Sequence, residues 1–140
     1  MIDFMPLSDA RWDVVRIVEG LRGRVPMRME LVIRFDYGSV VPWVRKVGKR
    51  LLATAGPHEL TLDADVEVRG ENMKTVAQFD VGARERVAFS LNYHPSFEPA
   101  PRRLDPRKAL AETRKAWGAW ARKCKYRGRW EATEIGRAHV

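Results

Sequence analysis

The side chains from which chemistry could be built are few: three histidines, one cysteine and a run of alternating carboxylates. His58, His94 and His139 are scattered, and with the lone Cys124 they give no metal-ligand spacing. His94, in Asn92-Tyr93-His94-Pro95, reads as a strand-end residue at a sheet rim, with a binding role for its imidazole as the alternative. Cys124 falls on a helical stripe among tryptophans, where a thiol acts as a small apolar group. Lys123 and Lys125 flank it, but nothing in the sequence supplies an oxyanion hole. Asp63, Asp65 and Glu67 alternate along one strand and lie beside one another. Glycoside hydrolysis needs two carboxyl groups facing each other across a pocket, so these three are expected to form a solvated strand face. Gly20-Leu21-Arg22-Gly23-Arg24 is too short and wrongly spaced for a phosphate loop and reads as an Arg-bearing turn. No catalytic, cofactor-binding or metal residue is assigned, and no cofactor is expected.

Charge is unevenly placed. The net charge is +8. Residues 1–101 hold 14 Lys+Arg and 14 Asp+Glu, whereas residues 102–129 hold 11 Lys+Arg against only Asp105 and Glu112. A neutral body therefore carries a basic C-terminal segment. Trp117, Trp120, Tyr126 and Trp130 interleave with those cations, so a nucleic-acid module that tracks phosphates and stacks bases is one reading. The tryptophans instead recur on the apolar stripe of a helix, which favours a docking helix over a nucleic-acid or membrane-surface one.

These residues must be positioned by strands followed by one helix. Met27, Met29, Leu31, Ile33 and Phe35 alternate with polar neighbours, and Asp36-Tyr37-Gly38-Ser39 makes a turn. Val40 to Lys46 is extended around Trp43, with Pro42 suited to an edge or a strand start. Leu60 to Val68 is the clearest strand, bounded by turns at Gly56-Pro57 and at Arg69-Gly70-Glu71-Asn72. Thr75 to Val81 and Val87 to Tyr93 follow, and Trp12 to Glu19 is a further candidate. Short strands at this spacing predict a mainly β, antiparallel β-sandwich over residues 1–101. Pro95 to Pro101 is a stiff connector. Asp105-Pro106 then starts a helix, with Leu110, Thr113, Trp117, Trp120 and Cys124 on one face and Gly128 as its stop.

The chain has 140 residues, enough for one domain with a modest core. It contains neither a membrane-length apolar run nor a signal-peptide layout at its start. With one cysteine, a reducing cytoplasm is the expected compartment.

Five strings carry a family resemblance: Ile2-Asp3-Phe4-Met5-Pro6, Arg16-Ile17-Val18-Glu19-Gly20, Arg24-Val25-Pro26-Met27, Arg34-Phe35-Asp36-Tyr37-Gly38 and Tyr93-His94-Pro95-Ser96. In order and spacing they resemble the N-terminal, trehalase-like region of bacterial glycoside hydrolase family 15 proteins, the glucoamylase and trehalase group. The resemblance covers about residues 2–131. It implies an accessory β-sandwich over residues 1–101, incomplete here because family members carry further strands upstream. Residues 102–131 then form a basic linker helix toward an (α/α)6 barrel. That barrel holds the two catalytic glutamates acting on trehalose or maltooligosaccharides. No position of this sequence matches their motifs, so no catalytic residue is carried over. The implied partners are the barrel of the parent chain and an α-glucoside substrate at the rim. A free-standing carbohydrate-binding sandwich, using exposed aromatics such as Trp43, is the other alternative.

Residues 135–140, Ile-Gly-Arg-Ala-His-Val, depart from the family. They are what the short-read adapter ATCGGAAGAGCACACGTC encodes, and the adapter's next triplet is a stop. They are expected to be untrimmed adapter, which leaves His139 without a role. Resequencing the genomic locus through the codon for Glu134 is expected to read into different codons; a genomic Ile-Gly-Arg-Ala-His-Val followed by a stop would disprove this.

Overall fold

The computed structural model describes residues 1–7, 11–123 and 125. Cys124, Tyr126, Gly128, Trp130, His139 and the adapter-like end lie outside the described residues. The described chain is mainly β, with one helix and no closed barrel. In order, the strands are β1 (Ile2–Phe4), β2 (Trp12–Glu19), β3 (Arg24–Leu31), β4 (Trp43–Val47), β5 (Arg50–Ala55), β6 (His58–Ala64), β7 (Arg69–Glu71), β8 (Lys74–Gly82) and β9 (Arg86–Pro95). Helix α1 (Pro106–Ala121) follows.

All pairings are antiparallel and make two sheets, ordered β1-β2-β9-β6-β5-β4 and β3-β8-β7. The main core lies between them, with Leu51, Leu62, Val87 and Phe89 of the large sheet and Ala77 and Val81 of the small one. Met27, Met29 and Leu31 of β3 pack onto it, as their alternation predicts. A second cluster on the far side of the large sheet joins Val15, Ile17 and Ala88 to Leu110 of α1. The large sheet is thus covered on both faces.

The helix starts as its sequence predicts. Asp105 is the N-cap, and its carboxylate accepts the backbone N–H groups of Arg107 and Lys108 at 2.9 and 3.1 Å. Pro42 does precede an edge strand, β4.

Three strand expectations need correction. The Met27–Phe35 run begins earlier, at Arg24, and is a strand only to Leu31. The Leu60–Val68 strand begins at His58 and ends at Ala64; the chain then bends and crosses to the small sheet, burying Val68 on the way. Arg69-Gly70-Glu71 is a strand rather than a turn, and the turn is Asn72-Met73, both at positive φ. Strand β5 has no sequence forecast because Leu51, Leu52 and Ala53 are all buried and so show no alternation. Residues 20–23 connect β2 to β3, and Arg24 already belongs to β3. A Cβ on Gly20 would lie 2.0 Å from the carbonyl oxygen of Gly82, so only glycine fits there.

Strand β3 leaves one edge of the small sheet unpaired. The two-residue turn makes Glu71 and Lys74 a hydrogen-bonded pair, so the odd residues of β8 point their amides at β3. Odd residues of β3 pair with those residues, and Pro26, Arg28 and Glu30 face the open edge. Pro26, with no N–H, blunts that edge. Next to it the sheets leave a trough of about 200 Å³ lined by Val14, Met29, Leu31, Leu62, Phe89 and Leu91. Proline substitution tests this parity. Met29→Pro is expected to cost roughly 2–4 kcal/mol by losing a buried ladder bond, and Arg28→Pro about 1 kcal/mol or less. Urea titration of both variants reads the difference; equal losses would reverse the assignment.

Candidate functional site

Two features of the large sheet could serve function, one on each face. They meet at the end where β9 leaves the sheet.

On the α1 side lies a buried polar layer. The register sets Asp13 of β2 beside Asn92 of β9, and Asn92 beside Thr61 of β6. One row along on the same face, His94 stands beside Glu59; one row in the other direction, Ser90 stands beside Asp63. All seven side chains are buried. Burying such groups is tolerable only when they are bonded. Asp13 holds Arg11 through two bonds, of 2.8 and 3.0 Å, and Arg11 also donates to the carbonyl of Arg102 at 2.7 Å. Asp63 holds Arg50 through two more, of 3.0 and 2.8 Å. Glu59 accepts from Thr54 and from Arg45. The Nδ1–H of His94 donates to the carbonyl of Pro95 at 3.0 Å. Its Nε2 then meets the hydroxyl of Thr61 at 3.0 Å and the carboxylate of Glu59 at 3.5 Å. Asn92 Nδ2 donates to the carbonyl of Trp12 at 3.4 Å, and its Oδ1 has no protein partner.

Two expectations change here. His94 stands near a strand end, but it is buried rather than at an open rim. Of the three alternating carboxylates, Asp63 leaves the expected solvated face. Asp63 is buried against Arg50. Asp65 accepts the backbone N–H of Ala88 at 2.9 Å and is paired with Arg103 at 2.6 Å. Asp65 is nonetheless exposed, and so is Glu67, with Lys46 at 3.3 Å, so the expectation fails only at Asp63. The buried acids are each held by a cation or hydroxyl, so none is a free acid or base facing a pocket. Among the described residues no group of His, Cys, Asp or Glu could hold a metal ion.

On the other face runs a row of rings from four segments: Phe35 before β4, His58 of β6, Tyr93 of β9 and Trp12 of β2. Successive ring centres are 6.2, 5.8 and 5.4 Å apart, with planes inclined by 17°, 33° and 31°. Tyr93 Oη and His58 Nδ1 are hydrogen-bonded at 2.6 Å. Trp12 is 62% exposed and His58 is also exposed. Sequence reading missed this row, because its members fall in separate segments and only the fold brings them together. Two of the strings behind the family resemblance meet here. Phe35 stacks on His58, and Ser96, three residues after Tyr93, donates to the carbonyl of Gly56 in the β5–β6 turn at 2.8 Å. Trp43 is exposed on edge strand β4 and is not part of the row.

On α1, Leu110 and Thr113 point inward as the stripe predicts, together with Ala109 and Ala121. Trp117 and Trp120 do not complete that inward face. They are 44% and 60% exposed and pack edge to face, 5.7 Å apart at 85°.

Away from these features, exposed charges stitch the sheet margins. Arg16 grips Asp3 across β1 and β2, and that hydrogen bond holds the Asp3 carboxyl below the ordinary carboxylate range. On the outer face of the small sheet, Arg28 bridges Glu30 and Glu71, whose carboxyls are lowered for the same reason.

Compared with protein-family models, curated proteins and solved structures, the chain matches none.

The polar layer predicts an asymmetric response to mutation. Arg50→Met strands the buried Asp63 carboxylate and is expected to cost about 2–4 kcal/mol, while Arg50→Met with Asp63→Leu recovers most of the loss. Chemical denaturation of the single and double variants measures this. A double variant as unstable as the single would show that the stranded charge is not the cause.

Proposed function

We propose that the chain is a non-catalytic accessory domain from the N-terminal, trehalase-like region of a family-15-like glycoside hydrolase, with the parent acting on α-glucosidic bonds. The reading rests on the five strings, and the β-sandwich followed by a helix is the architecture that resemblance implies. The observation that carries it is the placing of Trp117 and Trp120. One face of α1 is already docked on the large sheet through Leu110, yet the helix also presents two large rings outward. A ring pair on an already anchored helix is what a second docking surface requires, and the barrel of the parent chain is the proposed occupant. A cytoplasmic setting remains part of the proposal; no described helix is long and apolar enough to cross a membrane.

The nucleic-acid reading is disfavoured by geometry. At 85° one ring's edge meets the other's face, so the pair does not offer successive parallel platforms for bases.

The intact chain is expected to release no glucose from trehalose or maltose. It is also expected to bind a separately expressed (α/α)6 domain of family 15 that lacks its own N-terminal region. Trp117→Ala with Trp120→Ala should weaken that association by about thirtyfold or more, as for a central aromatic anchor. Turnover by the chain alone, or no association measured by calorimetry, would refute the proposal.

A further inference from the structure

We infer that the surface received by Trp117 and Trp120 is acidic: the cations of α1 draw the partner in, and the two rings hold it. The premise is the docking role proposed for α1, and what is added is the chemistry of the occupant.

Charge is handled differently in the sheets and on the helix. Every arginine and lysine within a strand is ion-paired, as Arg16 is with Asp3 and Arg50 with Asp63. On α1 and just beyond it stand Arg107, Lys108, Arg114, Lys115, Arg122 and Lys123, against the single acid Glu112. Glu112 is taken by Lys108 at 3.9 Å. Among the described residues, Arg107, Lys115, Arg122 and Lys123 have no ion-pair partner, and all four are exposed. The excess charge is therefore held at the helix surface rather than used inside the fold.

These cations surround the rings. Arg114 stands three residues before Trp117, on the neighbouring turn of the same side. Lys123 follows Trp120 by three, with its backbone N–H bonded to the Trp120 carbonyl at 3.0 Å. The Arg122 guanidinium lies over Gly118, where a Cβ would stand 3.5 Å from its Nη1. Arg107, Lys115 and Arg122 share one flank with the small Ala111 and Gly118 between them, over roughly 22 Å of helix.

This arrangement selects the partner. A neutral surface closing over the rings would strip water from the cations and return nothing. A membrane-surface helix needs a continuous apolar side, but Ala109, Leu110, Thr113 and Ala121 are already buried within the chain. Nucleic acid needs parallel ring platforms, and this pair meets at 85°. An acidic protein face fits both parts, with a pocket for the rings and carboxylates opposite Lys115, Arg122 and Lys123. Charges around such an anchor govern how fast the partner arrives, while the desolvated anchor governs how long it stays.

The test uses the intact chain and a separately expressed family 15 (α/α)6 domain lacking its own N-terminal region. Association and dissociation rates are read by biolayer interferometry at about 50 mM and about 500 mM NaCl. The association rate is expected to fall about tenfold or more with salt, while the dissociation rate moves less than about threefold. Lys115→Glu with Arg122→Glu should slow association about tenfold at the lower salt and remove most of its salt dependence. Arg22→Glu with Lys49→Glu, the same charge change on the sandwich, should slow it less than about threefold. Trp117→Ala with Trp120→Ala should act mainly on dissociation. An association rate indifferent to salt and to the helix variant overturns the inference and leaves the docking role standing. Equal slowing by the sandwich variant overturns it as well, since net charge rather than the placing of cations on α1 would be the cause. So does binding of duplex DNA that survives loss of both tryptophans. Absence of any association refutes the docking role itself, and the inference with it.

Discussion

Strand β9 must be dry on both faces while donating its backbone to strands on both sides. Its neighbours are β2 and β6, its inner face meets the small sheet, and its outer face lies against α1. The strand meets this constraint by dividing its side chains. Val87, Phe89 and Leu91 enter the apolar core, and Ser90, Asn92 and His94 enter the polar layer behind it. Because successive residues alternate faces, a one-residue slip would drive the polar set into the core. Register along β9 is accordingly fixed by both layers, and with it the positions of Trp12, His58 and Tyr93.

The polar layer makes the large sheet more than a platform. Its carboxylates recruit partners from beyond their own strands: Arg11 from the segment before β2, Arg50 and Thr54 from β5, and Arg45 from β4. Arg11 reaches further, to the carbonyl of Arg102, and Arg103 returns to Asp65. The connector to α1 is therefore pinned at two adjacent residues. The helix leaves the sandwich at a set place, and Trp117 and Trp120 are held at the surface rather than on a free arm.

Legibility in the sequence followed burial. Alternation marks β2 at its observed limits and β8 within one residue at each end, whereas the Met27–Phe35 alternation runs past the end of β3 at Leu31. Strand β5 goes unmarked, since burial on both sides erases the alternation that marks a strand. The Leu60–Val68 pattern overran because Val66 and Val68 keep the apolar spacing while the backbone changes sheets at Asp65. Asp63 and His94 were read as surface groups because acids and histidines usually are. Their burial depends on Arg50, Thr61 and Glu59, partners no local pattern announces.

By itself, the sequence determined the class of the fold, the antiparallel alternation, the capped start of the helix and the segregation of charge into it. Those properties come from near neighbours along the chain, through the two-residue period of a strand, the preferences of a helix cap and simple counting. Tertiary structure alone decided which polar residues are buried, which tryptophans stay exposed and which rings form one row. Phe35, His58, Tyr93 and Trp12 are far apart in the chain, and only the fold brings them within ring contact. Strand pairing is a long-range constraint, so it becomes visible only when the strands are laid side by side.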